Sequence, residues 1–276
     1  MMNDKREIGE DDLNDILLIL KQKYGYDFSN YARASLSRRL DRFMDTAKLN
    51  SIYDLKYNLT NSKEFFAFFL QTVTVNVTEM FRDPVFYKTL RERVLPKLAS
   101  YPIIKIWHAG CATGEEVYSM CILLHEAGLL ERSKIYATDI NPVNIEKART
   151  GIISLKNMKE FTHNYIQSGG VNDFSQYYTA RYENAIIKKE LRKNIVFSQH
   201  NLVTDQVFNE FQLICCRNVL IYFNKVLQNN VFHLFYDSLA PMGYMALGMK
   251  ESLLFTDLRF KFETVSNATK IFRRKA

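Results

Sequence analysis

Lys105-Ile106-Trp107-His108-Ala109-Gly110-Cys111-Ala112-Thr113-Gly114-Glu115-Glu116 decides the fold class of this 276-residue chain. Lys105 to His108 reads as a buried strand and Glu115 to Leu124 as a helix. Between them, glycine or alanine at alternate positions lets the backbone turn and pass close to a ligand. The next strand, Ile135 to Thr138, is followed by Asp139, 25 residues beyond Gly114. That is close to the roughly 20 residues expected of a carboxylate that holds ribose hydroxyls. The stretch also reads as an ordinary strand-to-helix turn, with Asp139 capping a helix that opens at Asn141-Pro142.

Outward from this stretch the alternation continues. Pro142 to Arg149 and Lys225 to Leu239 read as helices; Ile195 to Ser198, Gln212 to Cys216 and Tyr244 to Leu247 read as strands. Strands alternating with helices predict an α/β domain whose mostly parallel sheet is covered on both faces. Residues 151–193 interrupt the pattern with Gly169-Gly170 and many tyrosines, and read as an inserted subdomain. Upstream, Leu13, Ile16, Leu17 and Leu20 make a helical stripe. A second helix is expected from Ser29, with Leu36, Leu40 and Phe43 inward and Arg38, Arg39 and Arg42 on the opposite face. Helices after Ser51 and Ser62 follow, the last with Phe65, Phe66, Phe69 and Leu70 as its core stripe. The expected organisation is a helical domain over 1–84 and a sheet domain over 85–276. Asp83-Pro84 marks the break, and a helix from Val85 to Ala99 connects the two.

The loop at Gly110 to Glu116 is not a phosphate loop. It has no Walker lysine, and Glu115-Glu116 at the helix start would repel a pyrophosphate. Two carboxylates suit a cationic ligand group. S-adenosylmethionine, with its ammonium and sulfonium, fits better than NAD. Two further segments carry polar groups where chemistry is expected. Arg217-Asn218 follows the apolar strand Gln212 to Cys216, with Tyr222 one turn on, and ligands of open α/β sheets sit at such strand ends. Thr74-Val75-Asn76-Val77-Thr78-Glu79-Met80-Phe81-Arg82 reads in isolation as a linker with a threonine cap and a helix beginning at Phe81-Arg82.

Composition sets outer bounds. Hydrophobic residues at 47% and charged residues at 24% describe a globular chain. No apolar run approaches a membrane span, and the charged start, Met1 to Asp12, is no signal peptide; a cytoplasmic location without membrane insertion is expected. The four cysteines and five histidines lack metal-ligand spacing, so no metal is expected. A net charge of +7 favours acidic partners without choosing among them.

The three segments, with Ala137-Thr138-Asp139-Ile140 and Asn201-Leu202, together resemble the chemotaxis receptor methyltransferase family, CheR. The matching patterns are T-x-N-x-T-x-F-F-R (Met80 standing for the first phenylalanine), A-C-S-T-G-E-E, A-T-D-I, N-L and C-R-N-V-x-I-Y-F, in order and spanning nearly the whole chain. The resemblance implies a Rossmann-like methyltransferase sheet with a small all-helical N-terminal domain and an inserted β-subdomain. It implies transfer of a methyl group from S-adenosylmethionine to glutamate side chains on the cytoplasmic helices of bacterial chemoreceptors, leaving S-adenosylhomocysteine. By motif match, Asn76, Thr78, Arg82, Gly110, Glu115, Asp139, Asn201, Leu202, Arg217 and Asn218 would contact the cofactor. Tyr222 and Arg82 would stand near methyl transfer. Arg38, Arg39 and Arg42 would dock the glutamate-rich receptor, and a monomer is expected.

Departures from the pattern are Met242, where a second glycine usually follows proline, and Gly248-Met249-Lys250-Glu251 in place of a G-H-S-E type ending. Two other functions remain to weigh. A nucleic-acid methyltransferase would carry an N-P-P-Y type segment where Cys216-Arg217-Asn218-Val219-Leu220 stands. A catalytically silent cofactor-binding module would share every site residue.

Overall fold

The computed structural model describes residues 8–74, 78–254 and 256–276. By contacts the chain forms two compact units. One comprises residues 1–75 and 222–228, the other residues 76–221 and 229–276.

The first unit is built on α1 (Glu10–Tyr24), α2 (Arg33–Thr46), α3 (Ile52–Asn61) and α4 (Lys63–Val73). The stripe Leu13, Ile16, Leu17, Leu20 of α1 is buried, as its spacing requires. Ser51 starts α3 with a reciprocal capping box to Asp54, and the Ser62 hydroxyl accepts from the Phe65 amide to start α4. On α4 the buried set is Phe66, Phe69, Leu70 and Val73, while Phe65 is only half-buried. Helix α2 begins at Arg33 and not at Ser29. The Asp27 carboxylate accepts from the Ser29 amide, and Tyr31 forms an antiparallel bridge with Phe223. Both hold residues 27–31 out of the helical conformation.

The second unit opens with α5 (Pro84–Thr89) and α6 (Leu95–Leu98), joined by a π-helical turn at Leu90–Val94. Pro96 has no amide to donate and crowds the preceding turn. The widened turn, with the Leu95 amide on the Leu90 carbonyl, absorbs it. A helix beginning at Phe81-Arg82 does not form. Phe81 and Asp83 both have positive φ, at 52° and 57°, and proline at 84 sets the true start.

The sheet strands follow as β1 (Ile104–Ala109), β2 (Ser133–Asp139), β6 (Ile195–Gln199), β7 (Phe211–Cys216), β8 (Leu239–Leu247), β9 (Phe262–Ser266) and β10 (Ile271–Arg274). Their order is β6-β2-β1-β7-β8-β10-β9. The first five are parallel, whereas β10 pairs antiparallel with both β8 and β9. Helices α7 (Glu115–Glu126), α8 (Pro142–Thr150) and α11 (Lys225–Ser238) complete the alternation. The inward set from β1 shows why both faces are covered. Ile104 and Ile106 join the core under α7, and Trp107, fully buried, meets Phe211 and Phe235 on the other face.

The insertion contains β3 (Ile152–Ser154), α9 (Met158–Gln167), β4 (Tyr178–Arg181), β5 (Asn184–Ile187) and α10 (Lys189–Arg192), with a separate sheet ordered β3-β5-β4. Beside it, Glu126 at the end of α7 pairs with Arg91 at 2.5 Å and accepts from the hydroxyls of Tyr165 and Tyr177.

Candidate functional site

Strand order reverses between β1 and β7, and there the carboxyl ends of neighbouring strands open a crevice. The turn after β1 is fixed by the Gly110 and Cys111 amides, which both donate to the Thr138 carbonyl, at 2.8 and 2.9 Å. Gly110 has φ +78°, and a Cβ there would lie 2.5 Å from Val219 Cγ2. Gly114 has φ +95° and lies against Ala148. The small residues thus serve close packing between the loop and its neighbours as well as backbone conformation.

Asp139 ends β2 and is buried. Its Oδ2 accepts from the Ala112 amide at 2.9 Å; its Oδ1 accepts from the Asn141 amide at 2.9 Å and from Asn144 Nδ2 at 3.3 Å. Burial pushes this carboxyl up, and the amide bonds oppose the rise. The cap of α8 is Asn141, whose side chain accepts from the Val143 amide. Three donors on a carboxylate with about four lone-pair positions leave room for one more, such as a hydroxyl.

The two glutamates of the loop part company. Glu116 binds inward, to Arg217 Nη1 at 2.9 Å and to His108 Nδ1 at 3.0 Å. Burial pushes it up, but the imidazole and guanidinium outweigh that and hold it down to about 2. Glu115 accepts from the Thr113 hydroxyl at 2.7 Å and has no ion pair among the described residues. Burial pushes Glu115 up. Of the two carboxylates, Glu115 alone is left to attract a cationic ligand; Glu116 is already neutralised.

Arg217 is likewise enclosed. Besides Glu116 it holds Asp83 Oδ2 at 2.6 Å and lies over the Phe86 ring at 4.0 Å, its side chain 1% exposed. It ties the end of β7 to the start of α5. His108, Glu116 and Cys215 bring their ligand atoms within 4.8 Å of one another, but a metal there would face the Arg217 guanidinium across the same carboxylate.

Arg82 stands between the two positive-φ residues Phe81 and Asp83. The Phe81 amide donates to the Ser119 hydroxyl at 2.9 Å, and that hydroxyl donates to the Glu115 carbonyl at 2.9 Å. Arg82 is thus carried beside the first turn of α7, half-buried, and its guanidinium has no partner among the described residues. Asn201 follows β6; its side chain accepts from the Val203 amide at 3.0 Å and orders the turn through Leu202. Asn218 has φ +60° and a side-chain amide without a partner among the described residues. Thr78 is half-buried, and Asn76 lies outside the described residues. A family model described as the CheR methyltransferase SAM binding domain matches residues 76–271, and a CheR methyltransferase all-alpha domain model matches residues 11–74.

The chain belongs to the CheR methyltransferase family.

Among its relatives is a Pseudomonas putida protein carrying the name methyltransferase Cher3, 48% identical over 252 residues, covering 91% of this chain and 92% of that one. The chemotaxis protein methyltransferase of Salmonella typhimurium is 31% identical over 246 residues, covering 86% and 82%. That of Listeria innocua is 29% identical over 238 residues, covering 86% and 88%. As a CheR-family chain it is an S-adenosylmethionine-dependent methyltransferase, and the matched SAM binding domain contains the crevice described above. No helix among the described residues is long and apolar enough to cross a membrane.

In the helical unit, Tyr222 lies under the Arg39 guanidinium, 4.1 Å from its ring centre, and the Tyr222 carbonyl accepts from the Ala32 amide at 2.8 Å. Arg39 also donates to the Val73 carbonyl at 2.9 Å. Arg38 and Arg42 are exposed. The expected stripe of three outward arginines is therefore two exposed cations plus Arg39, which binds within its own unit. Glu251, met in the sequence only as part of a departing Gly248-Met249-Lys250-Glu251 ending and given no site role there, has its carboxylate buried under the loop after β7. The signal was present as Gly248 and Glu251 beyond the last parallel strand.

Proposed function

We propose that this CheR-family enzyme methylates glutamate side chains of bacterial chemoreceptors, forming methyl esters at the expense of S-adenosylmethionine. The observation that carries the cofactor placement is Glu115, a half-buried carboxylate at the first turn of α7 with no ion pair among the described residues. An α-ammonium would complete it. Asp139 keeps a lone pair for a ribose hydroxyl, Asn201-Leu202 on the turn after β6 would contact the cofactor, and Asn218 offers a side-chain amide without a partner among the described residues. When bound, the cofactor supplies a methyl group on an activated sulfonium leaving group.

A receptor carboxylate suits a site that supplies no base. A glutamate carboxylate, with an ordinary pKa near 4.3, is a nucleophile at neutral pH and needs no general base. The chain's task is then to align the acceptor oxygen with the methyl carbon and exclude water. Arg82, a half-buried guanidinium with no partner among the described residues, would orient such a carboxylate through a charge-assisted hydrogen bond. An oblique contact serves best, because a full bidentate pair would quench the nucleophile. Arg38 and Arg42 offer exposed positive charge to an acidic helical partner, and relatives carry the name chemotaxis protein methyltransferase.

The test is transfer of radiolabelled methyl groups to receptor-bearing membranes, followed by mild alkali. Label on receptor bands, released as methanol, is the expected result. Label that resists alkali, or that enters nucleic acid, overturns the acceptor assignment and leaves the cofactor assignment standing.

A further inference from the structure

We propose that Glu251 is a positioning residue for the cofactor, acting through Asn218, an inference that rests on the crevice at β1 and β7 being the cofactor site. Glu251 stands four residues beyond Leu247, where β8 ends. One carboxylate oxygen accepts from the Val219 amide at 2.9 Å and the Leu220 amide at 2.7 Å. The other accepts from the Asn218 amide at 3.1 Å and the Gly248 amide at 2.5 Å. Residue 251 is 4% exposed. Four converging amide dipoles stand where a buried carboxylate ordinarily takes a cation, and no ion pair reaches Glu251 among the described residues.

Three of the four amides are consecutive, and they are the first amides after Arg217 on the loop leaving β7. The same loop holds Asn218 at φ +60°, in the left-handed region that asparagine enters more readily than other non-glycine residues. The Glu251 carboxylate anchors the loop in that conformation through its amides. By fixing the amides at 218, 219 and 220, it sets the direction in which the Asn218 side chain leaves the backbone. Gly248 closes the arrangement: a Cβ there would lie 2.7 Å from the Asn218 nitrogen and 2.8 Å from the Glu251 carboxylate. The end of β8, the carboxylate and the loop are packed with no room for a methyl group.

A glutamine at 251 keeps the volume but offers one acceptor oxygen, and its NH2 group meets two of the four N–H donors head-on. An Asn218→Ala variant removes the side chain through which Glu251 is inferred to act. The measurement is S-adenosylhomocysteine affinity by titration calorimetry on full-length protein, below each variant's melting range, with stoichiometry reporting the competent fraction. Glu251→Gln is expected to weaken binding about tenfold or more, and to add less than twofold when Asn218 is already alanine. Gly248→Ala, which keeps the carboxylate but displaces the loop, is expected to behave the same way and serves if Glu251→Gln does not fold. Unchanged affinity in a folded Glu251→Gln, or the full tenfold loss persisting in the Asn218→Ala background, overturns the inference: the clamp then serves stability alone. Failure of the parent protein to bind S-adenosylhomocysteine sinks the cofactor site itself, a separate and visible outcome.

Discussion

Arg217 and Glu116 meet at 2.9 Å, with the arginine over the Phe86 ring and its other Nη on Asp83. A buried pair of this kind contributes less than its Coulomb attraction suggests, but removing one partner strands the other in a dry place, at a cost of roughly 3–5 kcal/mol. The pH dependence has a definite sign. Glu116 is held at about 2 in the folded chain against an ordinary 4.5, so its contribution is complete above pH 4.5 and fades as pH falls toward 2. Urea unfolding from roughly pH 6 to pH 3 should show wild type falling toward Glu116→Gln, the gap of up to about 3 kcal/mol narrowing with acid. A gap that stays constant over this range removes Glu116 from the account.

Glu115 has the opposite sign. Burial raises its carboxyl, so the charged form destabilises the unliganded fold at neutral pH, and that penalty is relieved on acidification. Glu115→Gln is expected to leave the unliganded melting temperature equal or higher. S-adenosylhomocysteine affinity should fall about tenfold, close to 1.4 kcal/mol. Melting curves with and without the ligand measure both, and a variant that loses stability without losing affinity contradicts the assignment.

Gly110→Ala would force a Cβ to 2.5 Å from Val219 Cγ2 at a backbone φ of +78°. A loss of about 1–3 kcal/mol is expected. Val219→Ala in the same chain relieves the steric part and leaves the backbone part, so partial recovery in denaturant unfolding is the predicted result. No recovery assigns the whole cost to φ.

Tyr222→Phe keeps the ring that Arg39 covers at 4.1 Å and removes only the hydroxyl. Turnover should drop roughly tenfold, the size of one lost hydrogen bond in the transition state, with cofactor affinity unchanged. Unchanged kcat takes the hydroxyl out of the reaction.

Arg38→Glu with Arg42→Glu reverses the two exposed charges of α2. Receptor methylation is expected to fall and to lose its salt dependence, while S-adenosylhomocysteine binding stays put. Normal rates with normal salt dependence would falsify the docking role. Arg39 is left out of this pair because it is engaged with Val73 and Tyr222.

Much of this molecule was legible because its signals are periodic. The α1 stripe and the caps at Ser51 and Ser62 are short-range effects, and they appear where the pattern puts them. The parallel strands announced themselves as short apolar runs around glycine-bearing turns. What stayed hidden depends on distant partners. Nothing local to Glu115-Glu116 separates a carboxylate with no ion pair among the described residues from one that binds Arg217, a hundred residues away. The late start of α2 depends on Phe223, and the helix expected at Phe81 is overridden by anchoring to Ser119. The pair β9 and β10 is a half-exposed, charged hairpin whose alternation is weak, and α9 lay inside a stretch dominated by tyrosines.

The contacts around Glu126 have a further consequence. Its carboxylate, on the last turn of α7, joins Arg91 of the π-helical turn to Tyr165 and Tyr177 of the insertion, and Asn172 donates to both tyrosine hydroxyls. To lift the insertion away from the sheet, all of these groups would have to be rehydrated at once. Insertion and sheet therefore open to solvent as one cooperative body, and the subdomain is an outrigger braced to the hull, with its hairpin tip at Tyr182 out in the water.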